Sequence, residues 1–158
     1  MPPVRSAPLL LSALLAVVLG AGCDSAKETT VTKDQAVARV AERAQEAFRH
    51  LPPGATLKQT LHTPDLPCDN GDDRVFVETR YDVVFPPAWP VEQSMTMLAD
   101  YWAGAGYRVV RDDRTSADLP ELVVEKADDG FRVGYLINRG SGGKATARLL
   151  SSSPCIRP

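Results

Sequence analysis

The sequence lacks the side-chain clusters on which metal and nucleotide chemistry depend. Its two histidines, His50 and His62, have no partner at the spacing of zinc ligands, such as H-x-x-x-H or C-x-x-C. The chain also has no phosphate-binding glycine loop, no dinucleotide fingerprint, no kinase signature and no G-x-S-x-G serine elbow. We therefore expect no catalytic residue, no metal site and no cofactor, and we predict that the protein is not an enzyme.

The sequence also lacks an excess of positive charge. It carries 18 basic and 20 acidic residues, a formal net charge of −2, and no basic stripe that would follow a phosphate backbone. Nucleic acid is therefore not an expected partner. Hydrophobic residues make up 44% of the chain, which is enough for a packed core and is not typical of a disordered protein.

The longest apolar segment is too short to cross a membrane as a mature helix. Leu9 to Leu19 form a run of 11 residues, whereas a spanning helix needs about 20. Arg5 precedes the run, and the small residues Gly20, Ala21 and Gly22 follow it. This order of a basic, an apolar and a small-residue region is typical of a secretory signal peptide.

The residues after this run resemble a known processing signal. The segment Leu19-Gly20-Ala21-Gly22-Cys23 resembles the bacterial lipobox, although its leucine lies one position earlier than usual. The resemblance implies a diacylglyceryl group on Cys23, further acylation with a fatty acid such as palmitate, and removal of residues 1–22. The protein would then be extracytoplasmic and anchored to the cell membrane by lipid. An ordinary signal peptide with a chance cysteine, or an uncut signal-anchor, are the alternatives.

Two further cysteines remain, Cys68 and Cys155. In an oxidising compartment an even pair is most simply assigned to a disulfide. Two free thiols, or a nucleophilic Cys68, are the alternatives. Prolines precede both cysteines, which favours stiff, extended segments at the surface.

After the signal, we expect a lipidated tether over residues 23–31 and a single globular domain over residues 32–158. Apolar periodicity and turn residues predict two helices and six strands in the order α-β-β-α-β-β-β-β. The fold class is therefore α+β, with two helices packed on one face of a curved, mainly antiparallel sheet. The predicted helices are 32–50 and 90–103, and the predicted strands are 56–63, 74–85, 107–111, 121–126, 131–138 and 144–151.

The segment YWAGAGYRVV, the hairpin that follows it and the terminal SPC resemble small secreted lipoproteins of actinobacteria, which are largely uncharacterised. The resemblance implies an envelope location and a Cys68–Cys155 pairing, but no activity. We expect a non-enzymatic interaction or accessory module of the cell envelope, with an envelope protein as a candidate partner. The alternative is a carrier or sensor of a small apolar ligand, lined by Met95, Met97 and Trp102.

Two other features are candidate sites. Trp89 lies between prolines in a loop, where it could contact a partner or instead pack against the start of the second helix. The loop Asp65–Asp73 is rich in carboxylates, but it lacks the spacing of an EF-hand. We interpret it as a solvated turn, with calcium binding as the alternative.

Overall fold

The computed structural model describes residues 31–69, 73–140 and 144–158. The predicted signal peptide 1–22, the lipidation site Cys23 and all of the predicted tether except Val31 lie outside the described residues. Among the residues that are described, no helix is long and apolar enough to span a membrane.

The α+β class is confirmed, with two helices and an antiparallel sheet of six strands. Each element lies within a few residues of its predicted position. The helices are α1 (Lys33–Phe48) and α2 (Val91–Gly104), and the strands are β1 (Thr56–Pro67), β2 (Val75–Val84), β3 (Tyr107–Asp112), β4 (Glu121–Lys126), β5 (Arg132–Asn138) and β6 (Thr146–Ser152).

The strands lie in the order β1-β2-β6-β5-β4-β3, and every neighbouring pair is antiparallel. The last strand of the chain is therefore in the middle of the sheet, between β2 and β5. The two edge strands are β1 and β3. A short hairpin joins β4 to β5, and Gly130 completes its turn with φ of +73°.

The core follows the alternation of side chains along the strands. On β2, β4, β5 and β6, every second residue is buried against a cluster that also contains residues of both helices. Alternate side chains of a strand point to opposite faces of a sheet. We call the face that carries these buried side chains the core face: Val77, Thr79, Tyr81, Val83, Leu122, Val124, Val133, Tyr135, Ile137, Ala147, Leu149 and Ser151.

Helix α1 begins with a capping box, as the spacing of Thr32 and Gln35 in the sequence predicts. The Gln35 backbone N–H donates to the Thr32 hydroxyl, and the Gln35 side-chain oxygen accepts from the Thr32 backbone N–H. The helical spacing of the apolar residues predicts a buried stripe of Val37, Val40, Ala41, Ala44, Phe48 and Leu51. The observed stripe is turned from it by about one position, so that Ala36 and Ala47 are buried and Ala41 is exposed. Alanine allows a close approach of helix and sheet, and this favours the rotated packing.

The first strand is longer than predicted. We expected it to end at Thr63 and expected a loop from Pro64, yet β1 continues to Pro67 with an irregularity between Thr63 and Leu66. A proline is tolerated there because β1 is an edge strand. In the second strand, the sequence predicts an alternation of buried residues up to Tyr81 that slips near Val83. This prediction is wrong, since Val83 is buried on the same face as Tyr81.

The predicted disulfide is present and joins Cys68 to Cys155, with an Sγ–Sγ distance of 2.03 Å. Cys68 follows β1, whereas Cys155 lies in the C-terminal segment that continues along β2 through a bridge between Val75 and Ile156. Ile156 is buried in a second apolar cluster with residues of α1. The disulfide thus joins the segment after β1 to the C-terminal segment that pairs with Val75 at the start of β2.

Loss of the disulfide should destabilise the domain markedly. For a sequence separation of 87 residues, the chain-entropy model gives about 4–5 kcal/mol as the upper range of the loss. We expect Cys68→Ser/Cys155→Ser to lower the free energy of unfolding towards that amount, measured by urea denaturation. A reductant should destabilise the parent chain but not the double variant; equal sensitivity of the two chains would contradict this.

Candidate functional site: an arginine-bearing sheet face

The face of the sheet opposite the core carries most of the charge that the strands supply. We call it the arginine face and define it by three rows of paired residues that run across the strands. The upper row is Arg108-Glu125-Arg132-Ser152-Glu78-Thr63, the middle row is Arg111-Val123-Gly134-Leu150-Arg80-Leu61, and the lower row is Glu121-Leu136-Arg148-Asp82-Lys58. Directly opposed residues of neighbouring strands have Cβ atoms about 5 Å apart, so each row is a continuous line of contacts.

The middle row has an apolar centre between two arginines. Gly134 lies between Val123 and Leu150, and a Cβ atom added to it would be 3.0 Å from Leu150 Cδ2 and 3.4 Å from Val123 Cγ2. The side chains of Leu150 and Val123 therefore extend over Gly134 and cover it. The result is a small apolar patch that interrupts an otherwise charged surface.

The charges on this face are sorted by depth. The three rows contain six basic residues and four acidic ones. The Arg108 side chain is 65% exposed, whereas Glu125 beneath it is 11% exposed. Arg80 and Glu78 differ in the same sense, with side-chain exposures of 44% and 11%, and so do Arg111 and Glu121, with 63% and 18%. The lower-row pair Arg148–Asp82 is exposed on both sides. The outer layer of the face is therefore predominantly guanidinium.

Glu125 is held between two arginines. Arg108 donates to Glu125 Oε1 from Nε and Nη2, at 3.2 and 2.5 Å, and Arg132 Nε donates to Oε2 at 3.0 Å. Burial by itself would raise the pKa of this carboxyl, but the hydrogen bonds from Arg108 and then Arg132 outweigh it, so the pKa lies below its ordinary value. Glu125 is therefore an ionised anchor that orients two guanidiniums.

Several of these arginines contact a carboxylate through Nε, the nitrogen that joins the guanidinium to the side-chain carbons. Arg132 reaches Glu125 through Nε, and Arg148 reaches Asp82 Oδ1 through Nε at 3.2 Å. The terminal amino groups of the same two guanidiniums are not used for these carboxylates. An arginine presents five donors in a planar fork, so a side chain held by Nε can still offer a pair of donors to an anion.

Trp89, which is predicted to contact a partner or to pack against the start of α2, lies outside the three rows of the arginine face. It is half-buried in the loop before α2, and its backbone N–H donates to the Pro86 carbonyl. Its indole Nε1 is buried and has no hydrogen-bond partner in the described part of the chain. The register of β1 with β2 places this loop at the end of the sheet opposite the disulfide. Its role as a partner contact stays a prediction.

The two histidines take part in packing and hydrogen bonding. His50 stacks on Tyr101 with ring centroids 3.6 Å apart, which links the end of α1 to α2. His62 Nδ1 lies 2.9 Å from the Thr79 hydroxyl, across β1 and β2. Within residues 31–69, 73–140 and 144–158, no group of three or more potential metal-ligating side chains comes together. Part of the acidic loop Asp65–Asp73 lies outside those residues, and calcium binding there stays an alternative.

The residues expected to line an apolar-ligand cavity are packed instead. Met95 and Trp102 are buried in the main core with Leu98, and Met97 is half-buried. Trp102 is 1% exposed, as its position in the apolar stripe of α2 predicts. These side chains fill the space between helix and sheet, so their positions do not favour the carrier alternative.

Comparisons with protein-family models, with curated proteins and with solved structures found no match to this chain. Function is therefore inferred from the sequence, from the disulfide and from the chemistry of the arginine face.

The sequence interpretation missed this face, although its signal is visible. Charged residues recur at every second position in Glu78-Arg80-Asp82 and at both ends of Glu121-Val123-Glu125. That period places them on the side of a strand that faces away from the core. The strand order could not be derived in the same way, because it depends on pairings between distant segments. Arg108, Glu125 and Arg132 lie on the consecutive strands β3, β4 and β5, but only the pairing of β6 with β2 adds Glu78, Arg80 and Asp82 to the same face.

Arg108 and Arg132 should each influence the titration of Glu125. We expect Arg108→Gln or Arg132→Gln to raise the pKa of Glu125, as measured by NMR of the side-chain carboxyl. Because the folded pKa is below the unfolded value of about 4.3, ionised Glu125 stabilises the fold above that pH, and this stabilisation is lost as the pH falls through the folded pKa. Arg111→Gln is the control and should leave Glu125 unchanged. A Glu125 titration insensitive to all three changes would refute the arrangement.

Proposed function

We propose that the protein is an extracytoplasmic lipoprotein, anchored to the cell membrane through lipid on Cys23, and that its domain is a non-enzymatic interaction module of the envelope. The apolar run of 11 residues, the small residues before Cys23 and the resemblance to a lipobox support the anchor. The disulfide between Cys68 and Cys155 supports an oxidising compartment, because such bonds rarely persist in the cytosol of mesophiles.

We also propose the finer arrangement of the fold, in which both helices cover the core face of a curved sheet. The supporting observation is that buried residues of α1 and α2 share one cluster with alternate residues of four strands. The arginine face is then left as the broad surface through which the module makes contact.

The observation that carries the proposed contact surface is the sorting of charge by depth. A solvated sheet face commonly bears mixed charges, and exposed ion pairs contribute at most about 1 kcal/mol each to stability. Here three of the carboxylates are mostly buried, and the arginines above them are exposed. A layer of held guanidiniums around an apolar patch suits an anionic partner, since arginine binds carboxylate or phosphate through paired donors.

The anchor is tested by fatty-acid labelling. Cells expressing the chain are grown with an alkyne-tagged fatty acid, and the protein is then purified and examined by click chemistry and intact mass. The parent chain should carry label, and Cys23→Ala should carry none, because only the cysteine thiol accepts the diacylglyceryl group. The double variant Cys68→Ser/Cys155→Ser is the matched control and should label normally. Undiminished labelling of Cys23→Ala would contradict the lipoprotein proposal.

The contact surface is tested by crosslinking in the native cells. We expect a photo-crosslinking residue at Leu136, which is half-buried in the lower row of the arginine face, to give adducts. The same residue at Ala41, on the exposed side of α1, should give fewer. Adducts at Ala41 alone would assign contact to the helix side of the domain and exclude the arginine face.

A further inference from the structure

We propose that the arginine face docks on the anionic lipid headgroups of the membrane to which the chain is anchored. This inference rests on the proposed function, because the lipid on Cys23 would hold the domain close to that surface. It goes beyond that function by naming the partner of the arginine face and the orientation of the domain relative to the membrane.

Charge complementarity is the first support. The chain as a whole is acidic, with a formal net charge of −2. If its charges were spread evenly over the surface, an anionic membrane would repel it. The three rows of the arginine face hold six basic and four acidic residues, and the exposed members are mainly the arginines. Each basic residue near an anionic leaflet contributes about 1 kcal/mol to binding.

The apolar residues of the same face are the second support. Leu61 at the end of the middle row is 38% exposed, and Val84, which lies two residues beyond Asp82 on β2, is 52% exposed. Together with the half-buried Val123 and Leu150, they give the face apolar side chains among its guanidiniums. Surfaces that combine basic and apolar side chains bind at the boundary between headgroups and acyl chains. From Arg111 to Leu61 the middle row crosses five strand intervals, about 24 Å, which is wide enough for several headgroups.

The place where the tether meets the domain is the third support. Lys33 at the start of α1 pairs with Asp65 of β1 at 2.5 Å, so the chain enters the domain beside an edge strand of the sheet. The eight residues 24–31 can span at most about 27 Å. That length exceeds the roughly 10 Å that separates two packed layers of secondary structure. The tether is therefore long enough to pass the β1 edge of the sheet, so that the lipid on Cys23 can enter the membrane on the side of the arginine face.

The test uses vesicles and a chain that has no lipid. The mature chain, residues 23–158 with Cys23→Ser, is mixed with vesicles of equal parts phosphatidylglycerol and phosphatidylcholine, or of phosphatidylcholine alone, and binding is measured by flotation. We expect binding to the anionic vesicles, weaker binding as salt is raised, and little binding to the neutral ones. Equal binding to both kinds of vesicle, or binding to neither, would overturn the proposal.

Paired variants locate the surface. Arg132→Gln/Arg148→Gln removes two charges from the face, while Glu125 keeps Arg108 and Asp82 stays half-exposed in solvent. At about 1 kcal/mol for each residue, affinity for anionic vesicles should fall about 25- to 30-fold. The matched pair Arg49→Gln/Arg114→Gln removes the same charge from exposed sites at the end of α1 and in the loop after β3, and should change affinity less than threefold. Equal losses in the two pairs would overturn the proposal.

These experiments distinguish a failure of the docking proposal from a failure of the lipoprotein proposal. If Cys23→Ala cells lose the fatty-acid label but the vesicle assay shows no binding, the lipoprotein proposal stands and the docking proposal falls. An acidic envelope protein that crosslinks to Leu136 and competes with vesicles would likewise assign the face to a protein partner and overturn docking. If vesicle binding and its dependence on Arg132 and Arg148 hold without any label on Cys23, the docking surface stands and the anchor falls.

Discussion

The last strand, β6, lies between β2 and β5 and joins two parts of the chain that are separate in the sequence. On one side it pairs with β2 from Glu78↔Ser152 to Val83↔Ala147, and on the other it pairs with β5. Without the β2 pairing, the unit of α1, β1 and β2 would have no sheet neighbour in the rest of the domain. The same pairing carries the chain onward to Ile156 and brings Cys155 to Cys68. The pairing of β6 with β2 therefore joins the two parts of the sheet, brings Cys155 to Cys68 and places Ile156 in the second apolar cluster.

Side-chain contacts strengthen the junctions between distant segments. Arg43 of α1 donates from Nη1 to Glu46 at 2.9 Å and from Nη2 to Asp129 at 2.8 Å, which ties the helix to the β4–β5 turn. At the other end of the sheet, Arg139 bonds Glu92 of α2 through Nε and Nη2. These arginines connect segments far apart in sequence, and the more buried Arg43 contacts contribute more to the tertiary arrangement than the exposed Arg139–Glu92 pair.

The arginine face is a consequence of the same register. A shift of one residue between β6 and its neighbours would turn Leu150 and Arg148 towards the core and bring Leu149 to the surface. In the observed register the guanidiniums lie above the carboxylates, and the small apolar patch forms around Gly134.

The sequence by itself determined the α+β class, the approximate bounds of the helices and strands, and the capping box at Thr32. It also indicated that Cys68 and Cys155 form a disulfide. These features depend on local periodicity, on turn residues and on simple cysteine counting. Tertiary structure decided the central position of β6, the extension of β1 through Pro64, the rotated stripe of α1 and the joining of the β2 charges to those of β3, β4 and β5. The position of β6 and the joining of these charges depend on a pairing between residues far apart in the chain, and no local pattern specifies which distant strands become neighbours or in which register.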